Sequence, residues 1–155
     1  MTANLSKTLD LLDALVTFPT ESHRPNGALI GFVSDYLTSL GVTHHVFADP
    51  TGEKEGLIAH IGPMVEGAVV LSGHTDVVPV AGQDWRHDPW QLTREGGRCY
   101  GRGTCDMKGF VALALAAVPQ MLAAPLTRPI QLALSYDEEP GCLGTEPLID
   151  ALAQH

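Results

Sequence analysis

Three short segments of the sequence combine acidic residues with glycine or proline, and the first also contains a histidine. They are SGHTDVVP at 72–79, GRGTCDMKG at 101–109 and SYDEEPG at 135–141. Imidazole nitrogens and carboxylate oxygens form a ligand set suited to zinc, or to cobalt or manganese in the same site. Taken together, the three segments predict a metal site.

In the first segment, His74 and Asp76 are two positions apart, so an extended chain places both side chains on one face. His74 can then offer one ring nitrogen to a metal while Asp76 accepts the proton of the other nitrogen. Such a contact fixes the tautomer and makes the imidazole a more basic ligand. The alternative, typical of an isolated H-x-D, is a surface histidine beside a turn-forming aspartate.

In the second segment, Asp106 directly precedes a predicted helix. Two interpretations stand side by side: Asp106 is a metal ligand, or it caps the helix, as aspartate commonly does. The neighbouring cations, Arg102 and Lys108, are interpreted as solvated or paired with carboxylates.

The third segment contains Asp137, Glu138 and Glu139 in succession. Like charges disfavour one another's ionised forms, and a divalent cation would remove that penalty. An extended chain would direct Glu138 and Glu139 to opposite sides, so that one can bind metal while the other faces substrate. The alternative is a solvated acidic loop.

The elements that position these segments are predicted from apolar periodicity and from glycine and proline. Helices are expected at 6–18, 28–40, 107–123 and 143–153, and strands at 42–48, 56–61, 68–71 and 130–135, with a short segment at 98–100. This order predicts an α/β fold in one domain, a sheet with helices on both faces. Each acidic segment follows a strand, and ligands bind such sheets beyond the carboxyl ends of their strands.

Composition narrows the choice of partners. The formal net charge of −9 argues against a nucleic-acid partner, because no basic stripe exists to displace counterions from phosphates. The start of the sequence does not resemble a signal peptide, and the longest apolar run, 110–118, is too short for a bilayer. The three cysteines form no C-x-x-C pair and are odd in number. Reduced thiols in a cytoplasmic protein are therefore expected.

The segments SGHTDVVP, GRGTCDMKGF and SYDEEPGCLG, in this order, resemble the zinc-dependent aminoacylase and carboxypeptidase family of metallopeptidases. The Thr104–Cys105 pair before Asp106 is most similar to members that deacetylate N-acetylornithine. The resemblance implies part of the catalytic domain of a co-catalytic zinc exopeptidase-like fold. It also implies hydrolysis of a small acylated amino acid, N-acetylornithine, to ornithine and acetate in arginine biosynthesis. Succinyl-diaminopimelate and dipeptides are the alternative substrates within the family.

Residue roles carry over from the family at the matching positions. His74 would bind one zinc ion, Glu139 the other, and Asp106 would bridge the two, with cobalt possible in place of zinc. Asp76 would hold and tune His74. Glu138 would be the general base and acid, taking a proton from water and returning it to the leaving amine.

Family members continue through a further carboxylate ligand, a lid or dimerisation domain and a late histidine ligand. Residues 1–155 are therefore expected to be the amino-terminal part of the catalytic domain, nearly inactive alone and homodimeric only in a full-length form. The alternative of another class is a non-catalytic truncated module. Four further histidines are interpreted as surface or structural, namely His44, His45, His60 and His87, and no role is assigned to the terminal His155.

Overall fold

A computed structural model describes residues 2–154, with side chains from residue 4 onwards; His155 lies outside the described residues. The helices are α1 (Thr2–Val16), α2 (Gly27–Ser39), α3 (Lys108–Ala123) and α4 (Thr145–Gln154). The strands are β1 (Thr43–Ala48), β2 (Glu55–Ile61), β3 (Val69–His74), β4 (Thr93–Glu95), β5 (Arg98–Tyr100) and β6 (Ile130–Ser135). Every predicted element is present, and β4 is an addition.

The main sheet has four strands in the order β1-β2-β6-β3. β2 pairs antiparallel with both β1 and β6, whereas β3 pairs parallel with β6. β4 and β5 form a separate antiparallel hairpin. The parallel pair matters most for function, because its two carboxyl ends lie side by side at one edge of the sheet.

Helices cover both faces of this sheet, as predicted. Alternate residues of β2 and β6 face opposite sides, because side chains alternate along a strand. Leu57, Ala59, Leu132 and Leu134 pack in the core cluster that contains α1, α2 and α3. Ile58 and Ala133 pack in a smaller cluster with Leu148 and Ala151 of α4. The α/β prediction is confirmed.

β3 extends further than its apolar run predicts. The sequence predicted a strand at 68–71, yet the strand continues to His74. Ser72 and Gly73 interrupt the apolar pattern, but their backbones still pair with Ala133 and Leu134 of β6. His74 is therefore the last residue of a strand and lies opposite Ser135.

None of the helices described for residues 2–154 is both long enough and apolar enough to cross a lipid bilayer.

Candidate metal centre

The predicted site residues come from three segments that meet beyond the carboxyl ends of β3 and β6. His74 ends β3, and Glu138 and Glu139 follow the end of β6. Asp106 arrives from the connection that leads into α3. The parallel pairing of β3 with β6 brings the first two segments together, although they are far apart in sequence.

The distances show that these side chains converge. His74 Nε2 lies 3.1 Å from Asp106 Oδ1. One ligand atom each from His74, Asp106 and Glu139 lies within 4.8 Å of the others, and no other group of three such residues occurs within the described part of the chain. Glu138 Oε2 lies 3.7 Å from His74 Nε2. All four side chains therefore border one small volume.

Asp106 faces this volume instead of capping α3. The N-cap position belongs to Met107, and no side-chain capping hydrogen bond is made there. The Asp106 side chain is 72% exposed, and its carboxylate contacts the His74 ring. Its geometry suits a ligand whose second oxygen is open to solvent.

Asp76 is buried, at 2% exposure, and contacts His74 and the backbone of Glu138 and Glu139. Its carboxylate accepts hydrogen bonds from the Ser22 hydroxyl at 2.9 Å and from the main-chain N–H groups of Glu138 and Glu139 at 2.9 and 3.2 Å. His74 Nδ1 lies 3.0 Å from the Asp76 main-chain carbonyl and 3.4 Å from its carboxylate. An Nδ1 proton donated there leaves Nε2 directed at Asp106. The sequence did not predict the hydrogen bonds from the Glu138 and Glu139 main-chain N–H groups to Asp76.

Glu138 and Glu139 do not point to opposite sides, which corrects the expectation from an extended chain. Asp137 has a left-handed backbone, with φ 46°, so the chain turns directly after β6. Both glutamates consequently lie near His74. Asp137 itself points away and pairs with Lys54, whose Nζ lies 2.6 Å from its Oδ1. Lys54 was missed because nothing in its hairpin sequence distinguishes it from a surface lysine.

The two cations beside Asp106 also differ from expectation. Lys108 is 1% exposed, and its Nζ donates to the Phe18 carbonyl at 2.6 Å. Arg102 donates to the Gln83 side-chain oxygen at 2.6 Å and lies over the Trp85 ring. Lys108 Nζ also lies over the Trp90 ring. None of these contacts involves a carboxylate.

The electrostatics of the site favour a bound cation. Burial alone would lower the pKa of His74, but hydrogen bonds and charge from Asp76, with a hydrogen bond from Asp106, outweigh it and raise that pKa to about 9. Burial would raise the pKa of Asp76, yet its hydrogen bonds to His74, Glu138, Ser22 and Glu139 lower it to about 2. Burial and the neighbouring carboxylates raise the pKa of Glu139. A divalent cation would relieve this repulsion.

Metal affinity should consequently depend on pH in a diagnostic way. The metal-free His74 is protonated below about pH 9, so a metal that binds Nε2 must displace a proton. We expect the affinity for Zn²⁺ to rise about tenfold per pH unit up to that range. The measurement is competition with a coloured chelator from pH 6.5 to 8.5. A histidine with the ordinary pKa of 6.5 would instead give a nearly flat profile above pH 7, and that result would contradict the raised pKa of His74.

The residues fit a metal. One imidazole and two carboxylates, with ligand atoms that converge within 4.8 Å, match the donor set of catalytic zinc sites, in which three protein groups leave one position open. The same donors also accept cobalt or manganese.

Comparison with known proteins identifies the class. The chain belongs to peptidase family M20/M25/M40, whose family model matches residues 70–155. It is 37% identical over 148 residues to acetylornithine deacetylase from Pasteurella multocida (strain Pm70), covering 91% of this chain and 38% of that protein. The resemblance found in the sequence is confirmed, and the chain spans about two fifths of the length of the deacetylases it matches.

Solved structures agree on the fold. Human carnosine dipeptidase 1 superposes with a TM-score of 0.79 and 24% identity, covering 97% of this chain and 36% of that chain. The M20 family metallo-carboxypeptidase Sso-CP2 from Sulfolobus solfataricus gives 0.78 and 24%, covering 94% and 34%. The architecture is therefore that of the metallopeptidase family, with helices on both faces of the sheet.

Proposed function

We propose that residues 1–155 are the amino-terminal, metal-binding part of a zinc-dependent amide hydrolase that converts N-acetylornithine into ornithine and acetate, a reaction of arginine biosynthesis. The convergence of His74, Asp106 and Glu139, with Glu138 beside them, is the observation that carries the proposal. Similarity to acetylornithine deacetylases over 91% of the chain supports the substrate.

The chain's own residues account for the proton transfers of amide hydrolysis. A bound zinc ion would lower the pKa of water and polarise the scissile carbonyl. Glu138, with its side chain 44% exposed, is open to solvent beside His74. In the proposed mechanism it takes the proton of the attacking water and gives it to the leaving amine. The hydrogen bond from its main-chain N–H to Asp76 fixes where that carboxylate lies.

The number of ligands suggests how much of the activity these residues support alone. His74, Asp106 and Glu139 make one set of three protein ligands, enough for one ion with an open position. If Asp106 bridges two ions, each ion has only two protein ligands from the described residues. We therefore propose that two tightly held ions and full turnover need ligands outside this set. As a separate proposal, a homodimer forms only in a full-length protein that contains the dimerisation domain.

Glutamate 138 offers the sharpest test of this mechanism. In a chimera, residues 1–155 replace the matching part of the Pasteurella multocida deacetylase, and ornithine release from N-acetylornithine is measured with added Zn²⁺. Glu138→Gln should lower turnover by at least about 100-fold, because general acid–base catalysis contributes about 10²–10⁴-fold. Zinc affinity should stay within a few-fold. Glu146→Gln, on α4, is the matched control and should retain activity.

Two outcomes would overturn the proposal. If the Glu138→Gln chimera retains activity, this residue is not the base. If the 155-residue chain itself binds no Zn²⁺ or Co²⁺, the cluster of His74, Asp106 and Glu139 is not a metal site. Binding by the chain without turnover, even in the chimera, would favour a non-catalytic metal-binding module, a candidate suggested by the incomplete ligand set.

Other acylated substrates form the second candidate within the enzyme class. The fold is shared with a carnosine dipeptidase and a metallo-carboxypeptidase. A panel of N-acetylornithine, N-succinyl-diaminopimelate and a dipeptide, run on the longest natural form of the protein, decides among them. Faster cleavage of either alternative would show that this compound, and not N-acetylornithine, is the substrate.

We also propose that the protein is cytoplasmic, because all three cysteines are free.

A further inference from the structure

A buried ion pair contains Asp137, the residue that immediately precedes Glu138 and Glu139 of the candidate metal centre. Lys54 precedes β2 within its hairpin, and Asp137 follows β6. Lys54 Nζ lies 2.6 Å from Asp137 Oδ1, and each side chain is only 8% exposed. Lysine and aspartate are seldom this buried unless they are paired. The cluster of possible ligands among the described residues consists of His74, Asp106 and Glu139, so the pair is not part of it.

Asp137 occupies an unusual turn in the chain. Its φ is 46°, and the φ of His23 is 68°. Left-handed backbone is uncommon outside glycine, although aspartate tolerates it better than most residues. The main-chain N–H of His23 donates to Asp137 Oδ1 at 3.1 Å. One carboxylate oxygen therefore accepts from Lys54 and from a second left-handed residue.

This turn determines where the next two residues lie. Glu138 and Glu139 follow Asp137 immediately, and their main-chain N–H groups donate to Asp76. Asp76 holds the amides of this loop, and Lys54 holds the Asp137 carboxylate. Main-chain N–H groups of Leu143 and Gly144 also close the turn by donating to the carbonyls of Asp137 and Tyr136. Without Lys54, the Asp137 carboxylate keeps the His23 N–H but loses its charged partner, and we expect the positions of Glu138 and Glu139 to be fixed less well.

Lys54 is itself held firmly in place. Its main-chain N–H donates to Asp49 Oδ1 at 3.1 Å within the β1–β2 hairpin. The next residue, Glu55, donates its N–H to Asn26 Oδ1 at 2.8 Å, and Asn26 also donates to the Glu55 carbonyl at 2.8 Å. The ammonium is consequently presented from a fixed backbone, which is what a positioning contact requires.

We propose that Lys54 is a positioning residue for the metal centre: through its buried ion pair with Asp137 it fixes the turn that presents Glu138 and Glu139 towards His74. The inference rests on the proposed function, since it assumes that the cluster binds metal. A purely structural role is the competing explanation. Removing one partner of a buried ion pair leaves an uncompensated buried charge and is strongly destabilising under either explanation, so a stability measurement alone cannot separate the two roles.

The test compares metal affinity with stability in the same variants. Lys54→Met, Asp137→Asn and the double variant are titrated with Zn²⁺ against a chelator, and metal-free unfolding is followed in urea. We expect each single variant to weaken binding by about 10- to 100-fold, as loss of supporting residues around metal ligands does. The two losses should not multiply in the double variant, because both break one contact.

Leu15→Ala is the matched control, because Leu15 is fully buried on α1 and lies outside the site. It should lower stability while the folded chain keeps its Zn²⁺ affinity. Lys54→Met binding within about twofold of the unaltered chain would overturn the inference and leave the proposed function intact. If Lys54→Met does not fold, Asp137→Asn decides by the same criterion. If the unaltered chain binds no Zn²⁺, the proposed function fails and the inference falls with it.

Discussion

Replacing His74 with alanine is expected to weaken Zn²⁺ binding to the chain by more than about 100-fold. Supporting residues around metal ligands are typically worth 10- to 100-fold in affinity, and a direct ligand contributes more. His74 supplies the single nitrogen of the cluster, and its Nε2 is the atom nearest to Asp106. The measurement is chelator competition at pH 8, with unfolding in urea to show that the variant remains folded.

His60→Ala is the control for this prediction. His60 pairs with Gln131 near the start of β6, whereas His74 pairs with Ser135 at its end, so the two histidines lie at opposite ends of the sheet. The His60 variant should keep the affinity of the unaltered chain. Equal losses in both variants, or none in His74→Ala, would show that the metal binds elsewhere.

The second large effect concerns stability and involves Lys108. Burial lowers the pKa of Lys108 from 10.5 to about 7. Between these values the unfolded chain binds a proton that the folded chain does not, so the contribution of Lys108 to stability rises with pH. The stability of the unaltered chain relative to Lys108→Met should increase by up to about 4 kcal/mol from pH 7 to pH 10.

Urea unfolding of both chains, metal-free, at several pH values measures this difference directly. Lys7→Met on α1 is the matched control, since Lys7 is exposed, with its ammonium over the Tyr36 ring, and its removal reports the effect of deleting a lysine charge at the surface. A difference between the unaltered chain and Lys108→Met that stays constant from pH 7 to pH 10 would contradict the prediction. It would mean that the ammonium is better solvated than its 1% exposure indicates.

Much of the site was predictable because its residues carry local signals. His74 follows a glycine after a short apolar run, Asp106 lies in a glycine-rich segment just before a helix, and strand ends are where α/β sheets bind ligands. The strand at Ile130–Ser135 was predicted to its exact bounds. The convergence of His74, Asp106 and Glu139 follows from the parallel pairing of β3 with β6.

The rest depended on contacts between residues far apart in sequence. Ser22 reaches Asp76, and Lys54 reaches Asp137, across long stretches of chain. Periodicity describes one element at a time, so it contains no information on such pairs. The relative orientation of Glu138 and Glu139 was mispredicted for the same reason: the left-handed turn at Asp137 is stabilised by partners on other segments. The length of β3 was underestimated because backbone pairing, and not side-chain hydrophobicity, extends the strand to His74.

The register of β3 against β6 determines which changes in chain length the site can tolerate. His74 aligns with Ser135, and side chains alternate between the faces of a sheet, so one residue inserted within β3 would turn the imidazole to the opposite face. A residue inserted in the exposed turn at Gly82 would leave that alignment untouched, since lengthening a loop costs little. The number of residues within the strands therefore determines the geometry of the candidate metal centre, whereas the number of residues in that turn does not.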